Sequence, residues 1–287
     1  PFTYGVSASL GDYKTIITKY DNESKLLSDH YVGKVLGDIW GYTTDGLFAT
    51  DEDAAAYAAQ VNDKNANKGV YAGKAPYNKL MAGDIKYVDV DGSGAIDTGA
   101  NTLDDPGDRK IIGNSKPRYN YSLRGDFQWM GIDFQMFFQG VGKISWMPAA
   151  NCIYFWNTYS YHRPTFIPKD FEAKCWSSEE GADNSNALFP RRRGRMAASS
   201  YLVTSDYWLQ DASYIRLKNL TVGYTLPLKT KAVEKVRFYF TGENLAYWSP
   251  MKKWTTAVDP EVATTSAYGD CLYPYAKTFS FGVDITF

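Results

Sequence analysis

The sequence predicts an all-β chain that forms part of a membrane β-barrel with long extracellular loops. Three observations carry the prediction. Segments of about ten residues alternate apolar with polar side chains, and the polar set is rich in charges and amides. Short turns also alternate with very long connections along the chain. A membrane barrel has these properties because one face of each strand meets hydrocarbon and the other a wet lumen, with short turns on one rim and long loops on the other.

Composition agrees with that class. Of 287 residues, 16% are aromatic, including 23 Tyr and 8 Trp, yet mean hydropathy is −0.39. Apolar residues confined to alternate positions give this combination, and so does a β protein that stacks aromatic rings on sugars. No run of about 18 apolar residues is present, which excludes a transmembrane helix. A net charge of −1 gives no electrostatic case for nucleic acid. Cys152, Cys175 and Cys271 match neither a disulfide framework nor a zinc motif. A Cys152–Cys175 bridge and three free thiols both remain open.

The chain begins inside a strand, with Phe2, Tyr4, Val6, Ala8 and Leu10 on one parity. It has no initiator Met, basic leader or apolar leader, so it is expected to be a fragment of something longer. After a polar connection, Tyr31–Phe48 reads as extended, with bends at Gly33, Gly37, Gly41 and Gly46. Thr50 caps a short helix over Ala54–Val61, with acids at 51–53 in its first turn. Residues 49–117 are expected to form one extracellular loop.

Within that loop, Asp89-Val90-Asp91-Gly92-Ser93-Gly94-Ala95-Ile96-Asp97 matches the first part of an EF-hand-type calcium loop. Oxygen side chains stand at positions 1, 3, 5 and 9, and Gly stands at 6. Position 12 is Ala100 rather than an acid, so a later acid must complete the set. Asp89, Asp91, Ser93, Asp97 and Asp108 are the candidate ligands, and calcium is the natural ion for hard oxygens.

Tyr119–Gly142 is the cleanest hairpin. Tyr119, Tyr121, Leu123, Phe127 and Trp129 share a face, as do Ile132, Phe134, Met136 and Phe138 after the Met130-Gly131 turn. Arg124, Asp126, Gln128, Asp133, Gln135 and Gln139 lie on the other face, where a dry core would leave them unpaired. Residues 143–205 then form a long aromatic loop, also expected outside the cell, whose aromatics either stack on a ligand, with Trp146, Tyr154, Trp156 and Tyr159 the candidates, or pack the loop against itself, which is the commoner use. Arg191–Arg193 read as solvated or loop-pinning. Tyr214–Pro227 and Val236–Leu245 are the next strand pair, joined by the turn Leu228–Lys235, and a loop over 246–275 follows. The last strand ends Phe279, Phe281, Val283, Ile285, Phe287 on one parity. His30 and His162 lie in unrelated loops and no nucleophile–base pair is present, so the chain is read as a non-enzyme.

Several of these segments together resemble the SusC/RagA family of TonB-dependent outer-membrane transporters. They are YVGKVLGDIWGYTTDGLF, GDIKYVDVDGSGAID with DRKIIGNSKPRYNYSL after it, SYIRLKNLTVGYTLP, KVRFYFTGENL with VDPEV downstream, and YPYAKTFSFGVDITF. The likeness covers nearly the whole chain in collinear order. In the family the DxDGSG-like stretch runs directly into an Asp-Arg pair; here Asp108-Arg109 fits that pair, with residues 98–107 inserted. The resemblance implies that residues 1–287 are the C-terminal part of a plugged barrel of the 22-strand class, contributing about seven or eight strands, without the plug and N-terminal region. It further implies a Bacteroidetes-type outer membrane and active import of glycans or peptides. The expected partners are a SusD-like surface lipoprotein, TonB (through an absent N-terminal region) and the lipid bilayer, in a dimer of transporter–lipoprotein pairs. The rival readings are a passive porin-like channel and a soluble, secreted β-sandwich that binds calcium and carbohydrate.

Overall fold

In the computed structural model, residues 2–61, 70–71, 79–149, 152–156, 159, 167–193, 203–228, 232–263 and 274–287 are described. In chain order the elements begin with β1 (Thr3–Asp12). The first connection holds β2 (Asp38–Tyr42), β3 (Thr44–Leu47), α1 (Asp51–Gln60), β4 (Ile85–Tyr87) and β5 (Arg109–Asn114). The hairpin β6 (Tyr119–Trp129) and β7 (Ile132–Gly142) follows. β8 (Ser145–Trp146), α2 (Ile153–Trp156) and β9 (Gln210–Asp211) lie in the second connection. β10 (Tyr214–Pro227), β11 (Lys235–Trp248), α3 (Pro260–Ala263) and β12 (Thr278–Thr286) complete the chain.

Six strands form one antiparallel sheet in the order β1-β6-β7-β10-β11-β12. Cross-strand register joins Tyr4 to Phe127, Phe127 to Phe134, Phe134 to Val222, Val222 to Phe240 and Phe240 to Phe281, so one face is a continuous apolar band. That band is open: Val6 and Leu10 are each 73% exposed and Phe281 is 83% exposed. Among the described residues no second sheet covers it, because the remaining sheets are two-stranded pairs, β2-β5, β3-β4 and β8-β9, within the connections. A soluble sandwich buries such a face; a lipid-facing wall leaves it open. Among the described residues the sheet has six strands where seven or eight are expected. Residues 31–48, read from sequence as extended, supply only β2 and β3. These are five and four residues long, too short to cross hydrocarbon, and they pair inside the first connection.

The connections are sharply unequal. The connections that follow Asp12, Gly142 and Trp248 leave the sheet at one rim, while at the other rim β6 and β7 are joined by Met130-Gly131 alone. Met130 (φ 48°) and Gly131 (φ 86°) both take positive φ, the type I′ geometry whose twist matches a two-residue hairpin. The turn after β10 is partly outside the described residues.

The buried core lies in the connections rather than in the wall. Tyr42, Ile85, Tyr87 and Ile96 come from the first. Trp146, Phe155, Trp156, Phe171, Phe189 and Trp208 come from the second, and Met251, Val258 and Ala263 from the third. Their rings meet closely, as in Trp156–Trp208 (4.9 Å between centroids) and Phe189–Trp254 (5.5 Å). Three long loops thus fold as one head on the rim. The predicted helix is α1, with the Thr50 hydroxyl accepting from the Asp53 N–H at 3.1 Å.

Candidate functional site

The acidic turn is built by its own backbone. Asp89 accepts from the Gly92 N–H (2.7 Å) and the Gly94 N–H (2.9 Å), and Asp91 from the Ser93 N–H (2.9 Å). Gly92 and Gly94 hold positive φ of 72° and 79°, which lets the chain wrap this tightly. Asp108, eleven residues beyond Asp97, folds back into the turn and is fully buried. Its two oxygens accept from the Val90 N–H (2.6 Å) and the Asp97 N–H (2.8 Å). The acid missing from position 12 is therefore replaced in space by Asp108.

Asp89, Asp91 and Asp108 bring carboxylate oxygens within 4.8 Å of one another. Hard oxygens at this spacing are of the kind that calcium takes. Asp97 lies outside that trio. Its carboxylate accepts from the Gly99 N–H at 2.7 Å, because the inserted residues turn there and take it as a cap. The Ser93 hydroxyl is engaged locally with the backbone of Ala95. Burial raises the Asp108 pKa, with the nearby Asp91 charge adding to the shift, while backbone N–H donors oppose it.

Of the two uses open to the loop aromatics, burial selects packing for Trp146, Trp156 and Tyr159. Trp156 is fully buried, and Trp146 and Tyr159 are nearly so, so they pack the head instead of offering a stacking face to a ligand. Aromatic-rich sequence alone does not distinguish the two uses. Burial drives the phenol pKa values of Tyr42 (to about 12) and of Tyr57 and Tyr159 upward, as expected for rings in an apolar interior. The side chain of Tyr154 lies outside the described residues, as do His162 and Cys271. Cys152 and Cys175 are both buried with no disulfide between them, and burial lifts the Cys175 pKa to about 11.

The arginine run fastens the second loop to the first. Arg193 donates to buried Asp84 (2.8 Å) and to the Lys79 carbonyl (2.7 Å). Arg191 donates to the Ala82 carbonyl (3.2 Å) and stacks over Trp176.

A second ionic cluster ties the third loop to the wall. Arg216 of β10 is buried, donates to Asp259 at 2.5 Å and lies 2.9 Å from Glu261. Lys218 also reaches Glu261 at 2.7 Å, and the Arg216 guanidinium lies over the rings of Tyr214, Tyr247 and Tyr275. A β-bulge between Leu217 and Asn219 makes this arrangement feasible. Simple alternation would set Arg216 on the parity of Leu220 and Val222, facing lipid. The extra residue shifts the parity, and Arg216 pairs in register with Gln139 on the polar face. The sequence carried a signal for this. Tyr214, Arg216, Lys218, Leu220 and Val222 mix charge with hydrocarbon on one parity, a conflict that a bulge resolves.

The polar face carries its own ion pairs. Arg237 of β11 holds Asp133 of β7 with two bonds (2.9 and 2.7 Å), bridging over β10, and reaches Asp284 of β12 at 3.1 Å. Gly223 lies beneath the bridge, where a Cβ would come within 2.4 Å of the Asp133 carboxylate. A wet lumen wall has this character.

No protein-family model matches the chain. It is 26% identical over 276 residues to TonB-dependent receptor P3 of Formosa agariphila, covering 89% of this chain and 22% of the receptor. It is 24% identical over 221 residues to TonB-dependent receptor P26 of the same organism, covering 72% of this chain and 20% of the receptor. Among solved structures, the RagAB peptide importer in its open-open state superposes with a TM-score of 0.61 at 15% identity, over 100% of this chain and 27% of that one. The closed-closed state gives 0.60 at 16% identity, again over 100% and 27%. The chain therefore spans about a fifth of the length of the curated relatives it matches.

Proposed function

We propose that this chain, a portion of the barrel of a SusC/RagA-type TonB-dependent transporter of the outer membrane, serves the active import of glycans or peptides. In this reading the six-stranded wall separates lipid from lumen. The joint loop head captures substrate beneath a SusD-like surface lipoprotein, and TonB acts through a part of the protein outside this sequence. The observation that carries the reading is the asymmetry of the wall. Three long loops share one core at one rim, above a lumen face lined with Arg124, Asp133, Gln135, Arg237 and Asp284. The RagAB neighbours are described as a peptide importer, which lends support to a peptide cargo and a two-component assembly. In this reading the chain is a non-enzyme, in line with the names of its relatives, which are a receptor and an importer. Calcium, held by Asp89, Asp91 and Asp108, would neutralise three crowded carboxylates and stiffen the first loop, with no part in chemistry.

The test is uptake. A strain lacking the full-length gene, complemented or not, is offered labelled oligosaccharides and peptides with TonB present and absent. Import of one class that needs both the gene and TonB supports the reading and identifies the cargo. Import that persists without TonB refutes it in favour of a passive channel. Co-purification of a surface lipoprotein with the full-length protein tests the partner.

A further inference from the structure

Where the ladder β1-β6-β7 gives way to the loops, a cleft of about 460 Å³ opens, lined by Lys14, Lys116, Arg118 and Lys143 together with apolar Val35 and Leu36. The strand ladder continues for one step here, with the Tyr13 N–H donating to the Arg118 carbonyl and the Arg118 N–H to the Lys143 carbonyl. Four basic residues thus converge from three adjacent chain segments, Lys14 from the first, Lys116 and Arg118 from the second and Lys143 from the third. Arg118 is held by Asp12. The single acid of the lining, Asp38, is engaged by the Asn114 amide at 2.9 Å and the Val35 N–H at 3.2 Å. Among the described residues Lys14, Lys116 and Lys143 form no ion pair, and although the Lys143 charge also acts on Asp12, the four cations outnumber the carboxylates of Asp12 and Asp38, so the cleft keeps an excess of positive charge.

Its depth along the wall follows from strand geometry. The apolar-face side chains of β6 run from Trp129 to Tyr119. At roughly 3.3 Å per residue and a tilt of about 40°, they cover about 25 Å, the height of the apolar band of a membrane barrel. Arg118 is the next residue. It leaves the strand toward the lipid side, bonded to Asp12, which is in register with Tyr119, and lying over the Tyr119 ring. The cleft therefore stands at headgroup level on the outer rim, beneath the loop head, flanked by the exposed rings of Tyr13 and Tyr119.

We propose that this cleft binds the phosphate of a phosphorylated glycolipid headgroup in the outer leaflet, the lysines meeting the anion. The site would anchor the first loop to the membrane surface independently of the cargo. It depends on the membrane wall and not on import, so failure of the uptake test leaves it standing.

The experiment uses the full-length transporter in detergent micelles, with lipid retention read by native mass spectrometry. The probes are lipid A bearing its phosphates and the same lipid A after enzymatic dephosphorylation. With about fivefold affinity per basic side chain near an anionic surface, the K14Q/K116Q/K143Q variant should bind the phosphorylated lipid roughly a hundredfold more weakly. Its Lys→Arg counterpart should bind normally. The dephosphorylated lipid should bind weakly to every form. Equal retention of the two lipids by the wild-type protein would overturn the proposal without recourse to any variant. Displacement of the lipid by micromolar inorganic phosphate or a sulfated oligosaccharide would overturn it too, making the cleft a soluble-anion site.

Discussion

Asp259→Ala is the sharpest test of how the head is held to the wall. Asp259 and Arg216 are both almost wholly buried and meet at 2.5 Å, and no solvent can replace the lost carboxylate. Glu261 remains 2.9 Å from the guanidinium but is already shared with Lys218, so the site keeps two cations for one anion. Removing one partner of a buried pair costs about 3–5 kcal/mol. Most of this cost should appear as local opening of the third loop, because Asp259 begins the turn in which the Val262 and Ala263 N–H groups donate to its carbonyl. At 1.4 kcal/mol per tenfold, amide hydrogen exchange over 250–263 should accelerate by roughly two to three and a half orders of magnitude in the full-length protein. The β6-β7 amides should be unaffected, since that hairpin is held by its own ladder. Replacing Arg216 and Asp259 together with apolar residues of similar volume should restore much of the protection, because it removes the stranded charge as well as the pair and leaves Glu261 to Lys218. Exchange in 250–263 that is unchanged by Asp259→Ala would refute the argument that this cluster fastens the loop.

Gly223→Ala should part Arg237 from Asp133, costing about 1–3 kcal/mol, and thermal unfolding of the detergent-solubilised barrel should show a smaller cost in an Asp133→Ala background. Trp208→Ala empties the centre of the ring cluster and should cost about 3–5 kcal/mol, read as protease sensitivity of the loop head with the wall strands still protected. Chelation of calcium should speed exchange over 89–97 without altering the wall, and Asp108→Ala should abolish that response. Without calcium, the raised folded pKa of Asp108 means that the folded turn binds its proton more tightly than the unfolded chain does. Its contribution is fully present below the ordinary carboxylate pKa and is lost as pH rises through the elevated folded value. Protection of 89–97, corrected for intrinsic exchange, should therefore fall from about pH 4 upward, and calcium should flatten the profile.

The two-faced wall, the tight turn at Met130-Gly131, the capped helix and the unequal turns and loops were legible in the sequence. Each of these is written in a period of two or in a few adjacent residues, and strand alternation and turn chemistry act over that range. Tertiary structure decided what the long connections became. Tyr42, Trp208 and Met251 are far apart in the chain and share one core only because three strand ends deliver their loops to the same rim. The same closure turned Trp146, Trp156 and Tyr159 from candidate ligand contacts into packing. It also brought Asp108 to the acidic turn across an insertion and left Asp97 to cap Gly99. The bulge at Lys218 lies between the two cases. A charge on the greasy parity announces a conflict, but only Asp259 and Glu261, returning from a distant loop, show which face the arginine must take.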